Sequence, residues 1–211
     1  MNKGLAAIIR DKLKDIPFIE LFGGIVYTQT KVDRIFAGED DEIGRSIEYK
    51  FPVTCDYTGS VSCDHKGLKD FIPNGKLKGM MYFEDNGILP NGTKGGIIKY
   101  ISRLRMIVWL NTKFVDMPPC STLTTPVMNG ILERLIGKNP FNQGDFQSIS
   151  IRIEAIPAVS IQLFNRYSYS EKDTQFLMPP YEYFAIDLAV DYNINPYCLN
   201  YIQTKTPELC S

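Results

Sequence analysis

Apolar residues near the N-terminus recur at helical spacing: Leu5, Ile8, Ile9, Leu13 and Ile16 lie three to five positions apart. This predicts an amphipathic helix from Asn2 to Ile16, with Asn2 suited to cap it and Asp15 to Pro17 ending it. Lys3, Arg10, Asp11, Lys12 and Lys14 fall mostly on the other face. Pro17-Phe18 and Phe22-Gly23-Gly24 mark a break, and Ile25 to Ile35, rich in Val, Ile, Tyr and Thr, predicts a strand. After the acidic turn from Ala37 to Gly44 the period becomes two. Ile47, Tyr49, Phe51, Val53, Cys55 and Tyr57 alternate with Ser46, Glu48, Lys50, Pro52, Thr54 and Asp56. That is a strand with one apolar and one polar face, and Pro52, which cannot donate to a ladder, implies a sheet edge or a bulge. The two strands together predict a long hairpin with an acidic tip.

From Thr58 to Gly96 turn formers dominate. Leu77 to Phe83 reads as a short strand, Asp85-Asn86-Gly87 and Pro90-Asn91-Gly92 as turns, and Lys94-Gly95-Gly96 as the close of a flexible loop. Ile98 to Val115 carries apolar residues on both parities, which implies a central strand covered on both faces around Met106 to Leu110. Pro118-Pro119 breaks it. A second helix follows, with Thr125 as cap, Pro126 at its first position, Val127, Met128, Ile131, Leu132, Leu135 and Ile136 as its apolar stripe, and Gly137 just past its end. Gln147 to Pro157 alternates as a strand, Val159 to Tyr169 fits a short helix somewhat better than a strand, and Tyr181 to Ile194 alternates throughout. Strands in blocks, with few helices between them, predict an α+β fold: a mainly antiparallel β-sheet with a long β-hairpin and two helices packed on one face. The organisation expected is one domain over residues 1–195, with a loop-rich insertion at about 58–97, and a C-terminal arm at 196–211.

Composition narrows the function classes. The 211 residues carry 23 Lys+Arg against 24 Asp+Glu, a formal net charge of −1, which argues against a dedicated nucleic-acid binder. Hydrophobic residues make up 44% and charged residues 22%, enough for a packed core without disulfide or metal staples. The five cysteines are odd in number and scattered, unlike a secreted disulfide framework. The N-terminal apolar stretch is only five residues long, too short for a signal peptide, and no apolar run approaches a membrane span. A protein kept in a reducing cytoplasm is the expectation.

Chemistry is sparsely supplied. His65 is the single histidine, and it lies in the polar segment Cys63-Asp64-His65-Lys66-Gly67. Cys55 and Cys63 have seven residues between them, unlike the C-x2-4-C of zinc sites, and Cys55 belongs to the apolar parity of its strand, as a buried thiol would. The glycine-rich stretches Gly23-Gly24 and Gly92 to Gly96 match no phosphate-binding signature. Glu39-Asp40-Asp41-Glu42 lacks the periodicity of a calcium loop and reads as a solvated tip. An enzyme would need Asp187 and Asp191 buried together, yet both lie on the polar parity of the last strand. No catalytic residue, cofactor or metal is expected. Aromatic residues are the one enrichment, with 12 Tyr, 12 Phe and one Trp. Many crowd into the last quarter, where they either pack the sheet or offer a protein-binding surface. The candidate subunit or partner contacts are Glu39, Asp40, Asp41 and Glu42 at the hairpin tip, Phe176, Met178 and Tyr181 around Pro179-Pro180, and Tyr197 and Tyr201 in the arm.

This order of elements resembles that of the tail-terminator and head–tail joining (neck ring) proteins of tailed bacteriophages. The pieces that carry the resemblance are Ala6 to Leu13, the hairpin from Ile25 to Tyr57, Arg105-Met106-Ile107-Val108-Trp109-Leu110, the helix from Pro126 to Ile136 and the closing Tyr183 to Leu188. The resemblance implies a virion protein that forms a homo-oligomeric ring, hexameric or dodecameric, next to portal, adaptor or tail proteins. Genomic DNA would pass through the lumen without sequence-specific binding, and no membrane would be involved. The alternative is a monomeric or dimeric protein- or peptide-binding module of a bacterial cytoplasm.

Overall fold

Helix α1 (Asn2–Leu13) forms where the apolar spacing predicts it and buries Leu5, Ala6, Ile8, Ile9 and Leu13. In the computed structural model, residues 1–35, 45–58, 68–94, 97–115, 121–137 and 140–194 are described. Asn2 does not cap α1; it lies inside the first turn, and its side-chain amide donates to Asp85 Oδ1 at 2.5 Å. Arg10, expected on the polar face, is buried, because its guanidinium reaches the carboxylates of Asp56 and Asp11.

The main sheet contains β1 (Leu21–Ile25), β4 (Tyr57–Thr58), β6 (Gly79–Lys94), β7 (Ile97–Asn111), β8 (Phe141–Gln143), β9 (Phe146–Ala155) and β10 (Tyr181–Ile194). Their spatial order is β4-β1-β6-β7-β10-β9-β8, and among the described residues only the β1/β6 pair is parallel. The fold is thus α+β with a mostly antiparallel sheet. At the centre, β7 pairs with β6 on one side and β10 on the other, and Met106 to Leu110 are completely buried on both faces. One face carries Met81, Phe83, Met106, Val108, Phe184, Ile186 and Leu188, covered by α1 and by α2 (Thr124–Leu135). From α2 three of the six residues of the predicted stripe, Val127, Ile131 and Leu135, are buried, each stabilising by about 1.5–3 kcal/mol, while Met128 and Leu132 are half-buried and Ile136, just past the helix, is exposed. Gly137 has φ +71° just past the helix end, a conformation that costs glycine little. The opposite face carries Tyr82, Ile107, Trp109 and Ala185 under a second cluster of Phe71, Leu163, Phe164, Tyr167 and Leu177.

Several expectations need correction. Two helices become three, because Ser170 accepts from the Asp173 amide and starts a one-turn helix, α3 (Glu171–Thr174). The short strand expected at Leu77 to Phe83, inside the loop-rich insertion, is the start of the 16-residue β6, which runs on to Lys94 beside the sheet centre. The triplets Asp85-Asn86-Gly87 and Pro90-Asn91-Gly92 sit at register irregularities in the β6/β7 pair, with Gly87 at φ +101° and Gly92 at φ +75°. Asp85 Oδ1 accepts from the Gly87 amide at 2.8 Å, so turn chemistry is satisfied inside a longer ladder as bulges. Gly23-Gly24, read as a break, lies within β1. A Cβ on Gly23 would come within 2.6 Å of the Phe71 ring, so glycine admits that ring against the strand. The strand expected from Ile25 to Ile35 is two elements, since β1 ends at Ile25 and β2 (Tyr27–Ile35) joins another sheet.

That second sheet has the order β2-β3-β5, with β3 (Arg45–Thr54) and β5 (Lys69–Asp70). Strands β2 and β3 pair antiparallel from Tyr27↔Val53 to Ile35↔Arg45 without a bulge. Phe51 and Val53 are buried as predicted, but Cys55 is exposed, because the strand ends at Thr54 and the alternation does not continue. Beyond the buried base the ribbon runs into solvent: Tyr27 to Val32 are all exposed, and Ser46 to Lys50 alternate between exposed and half-buried. Lys50 and Ser168 exchange backbone hydrogen bonds at 3.0 and 2.9 Å, which ties the ribbon to the cluster-covering segment.

Candidate interaction surface

Phe176, Met178 and Tyr181, three of the predicted contacts, lie on the segment that leads into β10. Trp109 is completely buried and donates its Nε1–H to the Phe176 carbonyl at 2.7 Å, which fixes that segment against the sheet. Tyr181 stacks on the Trp109 ring at 5.4 Å, and Phe176 meets Tyr181 edge-on at 5.4 Å. Thr112 Oγ1–H donates to the Pro180 carbonyl, and the Lys113 ammonium donates to the Tyr181 hydroxyl at 3.2 Å. Such aromatic contacts are worth about 0.5–1.5 kcal/mol each beyond burial, so Phe176 and Tyr181 are half-buried parts of the fold. Met178 differs: it is 53% exposed.

Next to Met178 runs a groove of about 380 Å³, walled by Val159, Leu177, Pro179, Tyr181 and Tyr183. Its polar end is Glu182, whose carboxylate accepts from the Thr124 amide at 2.7 Å and from Thr124 Oγ1–H at 2.8 Å. Thr125 was expected to cap α2. Instead a carboxylate from a distant strand does so, placed where the helix dipole favours negative charge. The groove is apolar, and its one carboxylate is already committed to the helix end. It can hold a side chain or a peptide segment, and its other polar lining among the described residues includes the hydroxyls of Thr122 and Thr124.

The uncovered half of the same sheet face is a ladder of ion pairs. Arg105 holds Asp187 with two bonds at 2.7 and 3.0 Å, Arg103 faces Glu154 at 3.5 Å, and Arg152 holds Asp191 at 2.8 Å. Asp187 and Asp191 are half-buried rather than solvent-exposed, and each is neutralised by its own arginine. The Asp187 carboxylate in turn pushes the Arg105 guanidinium further up. Glu84 sits at the inner end of this ladder, 5% exposed, and accepts from the Tyr167 hydroxyl at 2.6 Å. Burial raises the Tyr82, Tyr167 and Tyr169 phenols well above their usual value, and the Glu84 charge adds to each shift. The hydroxyls of Tyr82 and Tyr169 have no hydrogen-bond partner among the described residues. Glu84, Glu182 and the tyrosines were not singled out in the sequence; their roles depend on partners about 60 to 80 positions away, for which no local motif exists.

The remaining predicted contacts, Glu39, Asp40, Asp41, Glu42, Tyr197 and Tyr201, lie outside the described residues, as do Cys63 and His65. Among the described residues no group of three or more His, Cys, Asp or Glu side chains converges to hold a metal ion. No described helix is long and apolar enough to cross a membrane. No family model matches the chain, and no curated protein or solved structure matches it significantly.

Proposed function

We propose that this chain is a structural assembly subunit: a ring-forming protein at the head–tail junction of a tailed bacteriophage, either a tail terminator or a neck ring. One observation carries the reading, the β2–β3 ribbon, which extends into solvent with residues Tyr27 to Val32 exposed. A two-stranded ribbon with water on both sides is marginal alone and gains from a partner. In a ring, such an arm lies on the neighbouring subunit, and repeated weak contacts close the circle. The ion-pair ladder also suits a building block, since its arginines are already neutralised and are not presented to phosphate. Portal, adaptor or tail proteins would be the axial partners, and DNA would only pass through.

The test is compositional. Purified virions should contain the chain in a fixed copy number, and antibody labelling should place it at the neck or the head-proximal end of the tail. Virions that lack it, or a gene flanked by metabolic genes, would refute the assignment. The apolar groove beside Met178 supports the second reading, a peptide-binding module. That reading predicts a soluble monomer or dimer whose peptide binding is lost in Val159→Asp, on the groove wall.

A further inference from the structure

The unpaired edge of β2 and the unpaired edge of β9 match each other. Strand β2 pairs with β3 on one side only, and among the described residues no strand lies on its other side. Strand β9 is covered by β8 only as far as Ile149, so among the described residues Ser150 to Ala155 form an open edge of the main sheet, with a register shift against β10 at Glu154. Both segments present an exposed or half-buried apolar residue between two opposite charges: Lys31, Val32, Asp33 in β2, and Arg152, Ile153, Glu154 in β9. Val32 is 57% exposed.

The geometry points to β-sheet addition between copies: β2 of one subunit pairs antiparallel with the open edge of β9 in the next. Setting Val32 opposite Ile153 puts Lys31 opposite Glu154 and Asp33 opposite Arg152. Both charge pairs are then attractive, each charge sharing the new partner with the one it has within the chain (Lys31 with Asp33, Arg152 with Asp191, Glu154 with Arg103), and the two apolar side chains meet on the other face. A parallel alignment on the same centre would oppose Lys31 to Arg152 and Asp33 to Glu154, so the charges select one direction. Within one chain this contact is not made: β2 is held in its own sheet by β3, which Lys50 ties to Ser168, while β9 lies four strands from β1 in the main sheet. A second copy is therefore the occupant. Two copies of β2 could also pair around Val32 with matched charges, but that gives a bare ribbon with water on both faces. Addition to β9 instead extends a sheet that already has a core. It is also a head-to-tail contact, the kind that can close a ring. The inference rests on the assembly reading above and names its interface.

The experiment uses the full chain with two pairs of charge reversals, Lys31→Glu with Asp33→Lys, and Arg152→Glu with Glu154→Lys, each checked for intact folding by circular dichroism. Each pair alone should weaken association about ten- to a hundredfold, and both together should restore it. A second readout mixes Val32→Cys chains with Ile153→Cys chains in a background whose native cysteines are serine. Oxidation should link the two variants to each other. Association unchanged by either reversal, no rescue in the combination, or links only between Val32→Cys chains would overturn this interface and leave the ring reading standing. A chain that is monomeric throughout would overturn both.

Discussion

Tyr82 and Tyr167 make a matched pair for testing how the buried polar cluster contributes to stability. Their rings lie 6.4 Å apart under the same cover, and Tyr→Phe removes the same single oxygen from each. At Tyr167 that oxygen donates to Glu84, a carboxylate only 5% exposed. A hydrogen bond to a charged group is worth about 1.5–3 kcal/mol, and its loss leaves the carboxylate with one donor fewer in a desolvated site. At Tyr82 the oxygen is fully buried beside the Tyr167 and Tyr169 hydroxyls without a well-formed hydrogen bond among the described residues, so its desolvation is poorly compensated. Tyr167→Phe should therefore lower stability by about 2 kcal/mol, or roughly 4–8 °C in Tm for a chain of this size. Tyr82→Phe should be neutral or stabilising by about 1 kcal/mol. Urea unfolding followed by circular dichroism measures both, with the m-value checked for constancy. Equal losses in the two variants, or a larger loss at Tyr82, would show that hydroxyl pairing is not what distinguishes them.

The raised phenols of Tyr82, Tyr167 and Tyr169 make stability pH-dependent on the alkaline side. Their contribution is complete below the unfolded-state value near 10 and is lost as pH rises above it, each adding about 1.4 kcal/mol per pH unit. The last tyrosines to ionise, followed by ultraviolet absorbance, should therefore do so together with the loss of circular dichroism, and ionisation of all twelve in a still-folded chain would contradict the burial of these three. Glu182→Ala removes both hydrogen bonds at the start of α2 and should cost about 1–2 kcal/mol, with faster amide exchange in the first turn of α2. Exchange unchanged there would mean that Glu182 does not hold the helix end. Ile131→Ala opens a cavity at a completely buried position between α2 and the sheet and should cost about 2–5 kcal/mol in urea unfolding. A loss under about 1 kcal/mol would contradict that packing.

How much of this was legible in the chain depended on whether the signal was local. Helices α1 and α2 and strand β10 stand out because their periodicity runs for twelve residues or more, and the double parity of β7 announced a strand buried on both faces. Strand β6 is legible only as far as Phe83, because two turn-forming triplets interrupt the rest. They remain locally turn-like, while pairing with β7 carries the ladder through them as bulges. Strand β8, at three residues, is too short to have a period. Of the candidate contacts, Phe176 and Tyr181 stand out by aromatic enrichment, but the structure joins them into the fold through Trp109, a partner about 70 positions away. Burial of Cys55 was inferred from an alternation that stops one residue earlier, at Thr54. The open β9 edge was visible only once the sheet order placed β8 beside part of it.

Assembly is the claim on which the functional reading stands, and native mass spectrometry of the full chain tests it most directly. The account predicts one closed oligomer of fixed subunit number, hexameric or dodecameric, because a head-to-tail contact that closes stops growing at a single size. A chain that stays monomeric up to about 1 mM, the weak end of measurable association, would contradict it. An open-ended ladder of sizes with no dominant species would contradict ring closure in the same measurement.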